Sequence, residues 1–214
     1  MTERAQIRNI IFDFGGVLFE IDYDLPIKAF IDLGYADFAN IYTQASQNDM
    51  FDKLETGKVS NEEFMTWLHA FVPVAERKAV AAAFNTILLH IMPEQVEVVR
   101  QLRESGYRTF LFSNTNAIHV TEFERMTNEV MGIENFKSAF DMIYYSNVVG
   151  LKKPYPETFL KICEWNDLKP SETLFIDDSI QHVEGAIRAG LRGYHLKPGE
   201  RLTDVMKDIL AGDR

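Results

Sequence analysis

The sequence predicts an α/β fold in which helices cover both faces of a parallel β-sheet. Short, almost continuous apolar runs such as residues 10–12 and 174–176 are typical of strands that are buried on both faces. Helical patterns separate the later runs, and an alternation of strands with helices indicates a parallel sheet. We therefore predict five strands, at residues 7–12, 108–112, 142–145, 173–176 and 193–196.

Residues 93–105 form a clear helical pattern before the second of these strands. Val96, Val99 and Leu102 fall on one face of a helix, and Gly106 follows at a position where glycine commonly ends helices. The pattern predicts a crossover helix whose apolar face covers the sheet.

An inserted helical subdomain is predicted after the first strand. Ser113, at the end of the second strand, comes 100 residues after Asp13, which is far more than one helical crossover needs. The stretch between them carries a capping box at Ser60 and Glu63 and several groups of apolar residues at helical spacing. We interpret these apolar side chains as the core of the insertion: Phe38, Ile41, Tyr42 and Ala45; Phe64, Trp67, Leu68 and Phe71; Val80, Phe84, Ile87 and Leu88.

Composition narrows the classes of partner. The 214 residues carry a formal net charge of -10, which disfavours binding to nucleic acid or to an anionic membrane surface. Cys163 is the one cysteine, so the chain can form neither an internal disulfide nor a thiolate metal cluster. The amino terminus does not resemble a signal peptide and no apolar run is long enough for a membrane span, so we expect a cytoplasmic protein.

Polar residues follow four of the predicted strands. They are Asp13, then Ser113 and Asn114, then Lys153, then Asp177 and Asp178. Each alone is explained by a turn or a helix cap. Together they supply a nucleophile, hydrogen-bond donors, a cation and a carboxylate pair suited to a hard metal. Because open α/β sheets bind ligands at the carboxyl ends of their strands, these residues predict one site.

Four motifs resemble those of the haloacid dehalogenase (HAD) superfamily of phosphohydrolases. FDFGGVLF, LFSNTN, GLKKP and FIDDS occur here in the order of that family and span nearly the whole chain. FDFGGVLFEID, SNTNAIH and GLKKP are also similar to bacterial α-D-glucose-1-phosphate phosphatases. The resemblance implies a doubly wound, Rossmannoid parallel sheet with an inserted helical cap, which divides the chain into a catalytic core (1–19 and 91–214) and a cap (20–90).

The resemblance also implies a nucleophile and a metal. Asp13 would attack phosphorus and form an aspartyl phosphate. Mg²⁺ would be held by the Asp13 side chain, the Gly15 carbonyl and Asp178, with Asp177 acting close by through water. An oxygen-only ligand set of this kind is what Mg²⁺ prefers.

The phosphoryl oxygens would be bound by a second group of residues. The resemblance assigns this role to Ser113, the Asn114 backbone and Lys153, whose charge also screens Asp13. Gly16 would let the backbone approach the phosphate closely.

Two positions depart from the family pattern. Most phosphatases of the superfamily carry a second aspartate two residues after the nucleophile, as the acid that protonates the leaving oxygen, but this chain has Gly15 there. His182, four residues after Asp178, stands where relatives often have Asp or Asn, and we interpret it as lying outside the direct contacts to substrate. Candidates to replace the acid are His119, Glu20 and Asp22, although each has a simpler structural explanation as a capping, packing or solvated residue.

The missing acid leaves three functions open. The favoured one is a Mg²⁺-dependent phosphatase for a small phosphorylated metabolite such as a sugar 1-phosphate, because an anomeric hydroxyl leaves more easily than an ordinary alcohol. A metal-independent dehalogenase also lacks the acid, but it does not keep the pair Asp177 and Asp178. A noncatalytic phosphoacceptor or phosphate-binding protein is the third. We expect a monomer or weak dimer.

Overall fold

The computed structural model describes residues 6–42 and 49–211. We number its strands and helices in chain order. The strands are β1 (Asn9–Phe12), β2 (Phe19–Ile21), β3 (Leu88–Ile91), β4 (Arg108–Ser113), β5 (Met142–Tyr145), β6 (Thr173–Asp177) and β7 (Arg192–His195). The α-helices are α1 (Asp24–Asp32), α2 (Asp49–Glu55), α3 (Asn61–His69), α4 (Arg77–Asn85), α5 (Pro93–Glu104), α6 (Ala117–Met131), α7 (Ile133–Lys137), α8 (Ser146–Val149), α9 (Pro156–Trp165), α10 (Ile180–Arg188) and α11 (Leu202–Ala211), and short 3₁₀ turns lie at Phe38–Asn40 and Pro170–Glu172.

A five-stranded parallel sheet forms the centre of the molecule, as predicted. Its strand order is β5-β4-β1-β6-β7, and all five predicted strands are present within two residues of their expected bounds. Phe12 lies opposite Leu111 on β4 and Ile176 on β6. The three central strands therefore end at the same level, and the residues that follow them meet at one edge of the sheet.

Both faces of this sheet are buried, which explains the continuous apolar runs. Phe12, Leu111 and Ile176 point into a hydrophobic cluster on one face. Phe112 and Phe175 belong to the cluster on the opposite face. Successive side chains of a strand alternate between faces, so only apolar residues are compatible with burial on both.

Helix α5 confirms the predicted crossover helix. It begins at Pro93 and ends at Glu104, and Val96 and Val99 are fully buried against the sheet. Gly106 follows with a positive φ of 95°, a conformation that glycine adopts without steric penalty.

The connection between the core and the insertion is a two-stranded ribbon that the sequence analysis did not predict. Strands β2 and β3 pair antiparallel, with Phe19 opposite Ile91. The prediction that Leu88 continues a helical pattern is wrong, because α4 ends at Asn85 and Leu88 begins β3. The spacing of the apolar residues around Leu88 fits a helix and a strand equally well. The pairing of this segment with β2, which is distant in the chain, makes it a strand.

Helices α1 to α4 lie between the two ribbon strands and share a hydrophobic cluster, with Phe38, Phe64 and Phe84 fully buried in it. The predicted capping box is confirmed, since Ser60 and Glu63 cap the start of α3 reciprocally. The helical spacing predicted from Phe38 onward appears only as the short turn Phe38–Asn40, and Ala45 lies outside the described residues. The cap bounds 20–90 stay a prediction.

The helices show where the cysteine lies and whether any helix could span a membrane. Cys163 is buried in α9 among the residues of one sheet face. Within residues 6–42 and 49–211, no helix has both the length and the apolar character required to cross a membrane.

A close contact between α10 and the loop before α9 leads to a stability prediction. A Cβ added at Gly185 would collide with the Pro154 carbonyl oxygen and lie 2.9 Å from its carbon. Both partners are backbone, so no side-chain rotation relieves the contact. We expect Gly185→Ala to lower the free energy of unfolding by about 1–3 kcal/mol, even though alanine gains about 1 kcal/mol in helix propensity.

Urea unfolding checks this expectation. Glu184→Ala, a change at an exposed neighbour on the same helix, is the matched control and should stay within about 0.5 kcal/mol of the unmodified protein. Equal stability of Gly185→Ala and the unmodified protein would show that helix and loop are not in tight contact.

Candidate active site

The predicted strand-end residues come together on the floor of one cavity. Its volume is about 240 Å³, and Asp13, Ser113, Asn114, Lys153 and Asp178 all line it. Asp13 follows β1, Ser113 ends β4, and Asp178 follows β6. The parallel register of these strands therefore places the four motifs within reach of one small ligand.

A buried ammonium group joins the carboxylates of two neighbouring strands. Lys153 Nζ lies 2.6 Å from Asp13 Oδ1 and 2.7 Å from Asp177 Oδ2, and the lysine is 1% exposed. Burial alone favours the neutral amine, but the two carboxylates outweigh it and raise the pKa of Lys153 above its ordinary value. Lys153 is therefore a permanent positive charge beside Asp13.

Asp177 is fully occupied by partners within the protein. Its Oδ1 accepts a hydrogen bond from the Ser179 N–H at 2.7 Å, its Oδ2 accepts from Lys153, and His182 Nδ1 lies 3.0 Å from Oδ2. Although burial opposes ionisation, Lys153 and His182 hold the pKa of Asp177 at about 2. Asp177 is therefore better placed to hold Lys153 in position than to contact a metal ion directly.

One carboxylate oxygen each of Asp13 and Asp177 and one ring nitrogen of His182 lie within 4.8 Å of one another, as the ligand atoms of a metal ion do. The Lys153 ammonium already bridges two of the three, so a metal ion there would have to displace a buried cation. We place the candidate metal position on the other side of Asp13, next to Asp178.

Within residues 6–42 and 49–211, no cationic side chain pairs with Asp178. Burial and the neighbouring Asp13 and Asp177 raise its pKa to about 7. Burial and Asp177 likewise raise the pKa of Asp13 to about 6, against the opposing effect of Lys153. Lys153 pairs with Asp13 and Asp177, and the oxygen-only donor set beside Asp178 fits a hard divalent cation such as Mg²⁺.

Gly16 lets the loop after β1 close against Asp178. Its φ is +72°, and a Cβ at this position would collide with the Asp178 carboxylate. Gly15 differs, since its φ is not positive and an added Cβ meets only the flexible end of Ile21, at 2.8 Å. The sequence analysis attributed Gly16 to close approach of a phosphate, whereas the contact in the structure is with a carboxylate.

The Asn114 side chain holds the loop that carries Lys153. Its Nδ2 donates to the Lys153 carbonyl at 3.0 Å, and its Oδ1 accepts from the Lys153 N–H at 2.9 Å. Because the Asn114 side chain is engaged in this double contact, we expect the Asn114 backbone, and not its side chain, to bind a phosphoryl group. Ser146, which the sequence analysis missed, bonds in the same way to both backbone groups of Thr115, through its Oγ.

Each of the three candidate replacement acids is engaged by a partner within the protein, although His119 also lines the cavity. His119 is buried between Asn116 Nδ2 and the Phe84 carbonyl, and burial lowers its pKa to about 4. Glu20 pairs with His90 on the ribbon, 3.1 Å away. Asp22 Oδ1 accepts the Asp24 N–H at the start of α1.

The cap supplies the opposite wall of the cavity. Tyr23, Tyr42 and Phe84 line it, together with Glu55 of α2. Lys152, next to Lys153, pairs with Glu55 at 2.7 Å across the seam between core and cap. The sequence analysis missed Tyr23, Glu55 and Lys152 as site residues, since no local pattern distinguishes them from surface or core positions.

The crowded carboxylates predict a pH-dependent stability of the metal-free protein. The folded state retains protons on Asp178 and Asp13 up to about pH 6 to 7, whereas the unfolded chain releases them near pH 4. The free energy of unfolding in chelator should therefore fall as the pH rises from about 4 to 7. Asp178→Asn should remove much of this fall and be more stable than the unmodified protein at about pH 8, by on the order of 2 kcal/mol.

Urea unfolding across this pH range measures both effects. Below about pH 4 the two proteins should converge, because the carboxyl groups are then protonated in both states. Asp32→Asn, at an exposed position of α1, is the control and should show the same fall of stability with pH as the unmodified protein. A difference between Asp178→Asn and the unmodified protein that is constant with pH would contradict the proposed charge crowding.

Comparison with known proteins relates this arrangement to a family. A family model for haloacid dehalogenase-like hydrolases matches residues 7–190. The chain is 32% identical over 203 residues to a D-ribitol-5-phosphate phosphatase of Bacteroides thetaiotaomicron, and the match covers 90% of this chain and 93% of that protein.

Solved structures agree with this match. A HAD family enzyme of Bacteroides thetaiotaomicron, crystallised as an aspartate-to-alanine mutant with magnesium and inorganic phosphate, gives a TM-score of 0.84 at 27% identity and covers 94% of this chain and 98% of that one. A HAD-like family hydrolase from Porphyromonas gingivalis gives a TM-score of 0.84 at 33% identity, with 96% and 98% covered. The chain therefore belongs to the haloacid dehalogenase-like hydrolase family.

Proposed function

We propose that this protein is a Mg²⁺-dependent phosphatase that hydrolyses a small phosphorylated metabolite, a sugar phosphate such as a sugar 1-phosphate, through an aspartyl phosphate on Asp13. The observation that carries the proposal is the charge on the cavity floor. The carboxyl groups of Asp13, Asp177 and Asp178 lie together there, whereas the Lys153 ammonium pairs only with the first two, so negative charge is in excess. A divalent cation held beside Asp178 would offset that charge and so favour binding of a phosphate dianion.

The residues that would hold Mg²⁺ are the Asp13 side chain, the Gly15 carbonyl and Asp178. Asp177 contributes indirectly, since Lys153, His182 and the Ser179 N–H already occupy its carboxylate. When bound, Mg²⁺ supplies positive charge that offsets repulsion between the nucleophile and the phosphoryl oxygens. The relative crystallised with magnesium and phosphate supports this assignment.

Asp13 would act as the nucleophile. One of its carboxylate oxygens bonds to phosphorus as the bond from phosphorus to the leaving oxygen breaks, and water later hydrolyses the aspartyl phosphate. Lys153 holds Asp13 at 2.6 Å and keeps a positive charge beside the transferring group. Ser113 and the Asn114 backbone would hold the phosphoryl oxygens on the other side.

Among the described residues, we assign no acid to protonate the leaving oxygen. Gly15 stands where most superfamily phosphatases have an aspartate, and His119 is buried with both ring nitrogens engaged. A substrate whose leaving group is intrinsically acidic needs less help, and an anomeric hydroxyl meets that requirement. The uncompensated carboxylates speak against a metal-independent dehalogenase.

The test is a screen of phosphate monoesters with the unmodified protein and with Asp13→Asn. In Mg²⁺ the unmodified protein should release inorganic phosphate, and excess chelator should abolish that release. Asp13→Asn should lose at least about 10³-fold in kcat while remaining folded, because the amide is a poor nucleophile toward phosphorus.

The controls separate the three candidate functions. Circular dichroism and urea unfolding show whether Asp13→Asn is folded. Phosphate release that survives in this variant would contradict the covalent mechanism, and release that is equal with chelator would contradict the metal assignment. Stable phosphorylation of Asp13 without turnover would identify a phosphoacceptor in place of a phosphatase.

A second prediction concerns the leaving group. If no group protonates the leaving oxygen, the rate of the chemical step should rise steeply with the acidity of the leaving alcohol. Primary alkyl phosphates should then react about 10²- to 10⁴-fold more slowly than aryl or anomeric phosphates, which is the usual contribution of general acid catalysis. Single-turnover measurements over a series of phosphate esters provide the comparison.

Gly15→Asp is the complementary variant. The backbone at Gly15 accepts a side chain once the end of Ile21 moves, so the variant should fold. The added carboxyl should help esters of weakly acidic alcohols selectively and flatten the dependence. A rate in the unmodified protein that is indifferent to leaving-group acidity would mean that another group supplies the proton.

A further inference from the structure

The seam between cap and core contains an ion-paired cluster that the proposed chemistry does not use. Lys152 Nζ lies 2.6 Å from Asp52 Oδ1 and 2.7 Å from Glu55 Oε2, and both acids belong to α2 of the cap. The side chains of Lys152 and Glu55 are each 15% exposed, whereas that of Asp52 is 52% exposed. Glu55 therefore lies on the inner side of the cluster and Asp52 on its rim.

The position of this cluster fits the organic part of a phosphate ester. The floor of the cavity is committed to the phosphoryl group, so the leaving group must extend toward the cap wall. Tyr23, Tyr42 and Phe84 contribute aromatic rings to that wall, which Glu55 and Asp52 also line. The cavity of about 240 Å³ suits a leaving group of a few carbons.

The partners of Glu55 leave it able to bind a ligand. Among the described residues Lys152 alone bonds to its carboxylate, through Oε2, which leaves Oε1 for another donor. The Lys152 charge also offsets that of Glu55, so the carboxylate does not repel an incoming phosphate ester. Burial and the nearby Glu55 raise the pKa of Tyr42 above its ordinary value, which keeps this phenol neutral and able to donate or accept.

The chemistry of this wall favours an uncharged leaving group that carries several hydroxyls. A partly buried carboxylate accepts hydrogen bonds from hydroxyl groups strongly, whereas an alkyl chain would offer no donor to the second oxygen of Glu55, Oε1. The cluster of Asp52, Glu55 and Lys152 has a net negative charge, so it offers no attraction to an anionic tail.

We propose that Glu55 is a specificity-determining residue that accepts hydrogen bonds from the hydroxyls of a polyol or sugar leaving group, with Lys152 as the positioning residue that orients it. This inference rests on the proposed phosphatase function and adds the residue that selects the substrate. Lys152 links selection to the catalytic floor, because it immediately precedes Lys153 in the chain.

The experiment compares two primary phosphate esters of five carbons, D-ribitol 5-phosphate and pentyl phosphate. Both leave as primary alcohols, so the ratio of their kcat/KM values reports recognition of the hydroxyls. In the unmodified protein the ratio should favour D-ribitol 5-phosphate by at least about tenfold. Glu55→Gln should lower the ratio toward one, a loss of about tenfold, chiefly through a higher KM for the polyol ester.

Asp52→Asn is the matched control. It breaks the other half of the Lys152 cluster at the exposed rim and should keep the ratio within about threefold of the unmodified protein. A merely structural role of Glu55 in holding the cap would lower activity on both esters equally and leave the ratio unchanged, and that result would overturn the proposal.

The unmodified protein provides a test that needs no variant. A ratio near one would overturn the role of Glu55 even if Glu55→Gln does not fold, while hydrolysis of both esters would leave the phosphatase function standing. Absence of hydrolysis for these and all other phosphate esters in Mg²⁺ would instead reject the phosphatase function itself, and with it the inference.

Discussion

A single buried ammonium sets the constraint on which the rest of the site depends. Lys153 is almost inaccessible to solvent and is bound by carboxylates from two different strands, at 2.6 and 2.7 Å. A buried charge is tolerated only when its partners are held in place, and removing one partner is strongly destabilising. The parallel register of β1 and β6 provides this for Asp13 and Asp177, and Asn114 provides it for the lysine backbone.

The cavity divides its chemistry between two walls. The floor, built by strand ends, concentrates negative charge around one cation and suits a metal-bound phosphate. The cap wall combines aromatic rings with two carboxylates, Glu55 and Asp52, that pair with a second lysine, Lys152. The two lysines are neighbours in the chain, so the loop that fixes the catalytic ammonium also fixes the ion pair at the seam.

Much of the fold and of the cavity floor could be predicted from local sequence patterns. Apolar runs marked the five strands because burial on both faces excludes polar residues, and the helix at 93–105 followed from its spacing and its terminal glycine. The polar residues after those strands then had to meet, because parallel strands end at one edge. The roles of individual residues at this edge came from motif resemblance and remain predictions.

What only the tertiary structure decided depends on contacts between distant residues. Leu88 fits a helix or a strand equally well, and pairing with β2 makes it a strand. His119 looked like a possible acid, yet packing of the cap against the core buries it, and burial lowers its pKa despite the hydrogen bond to the Phe84 carbonyl. Lys152 meets Glu55 across 97 residues of chain, so no local pattern could connect them. Sequence alone determined which residues line the sheet edge, because burial and periodicity are local, whereas partners and solvent access were decided by the packing of cap against core.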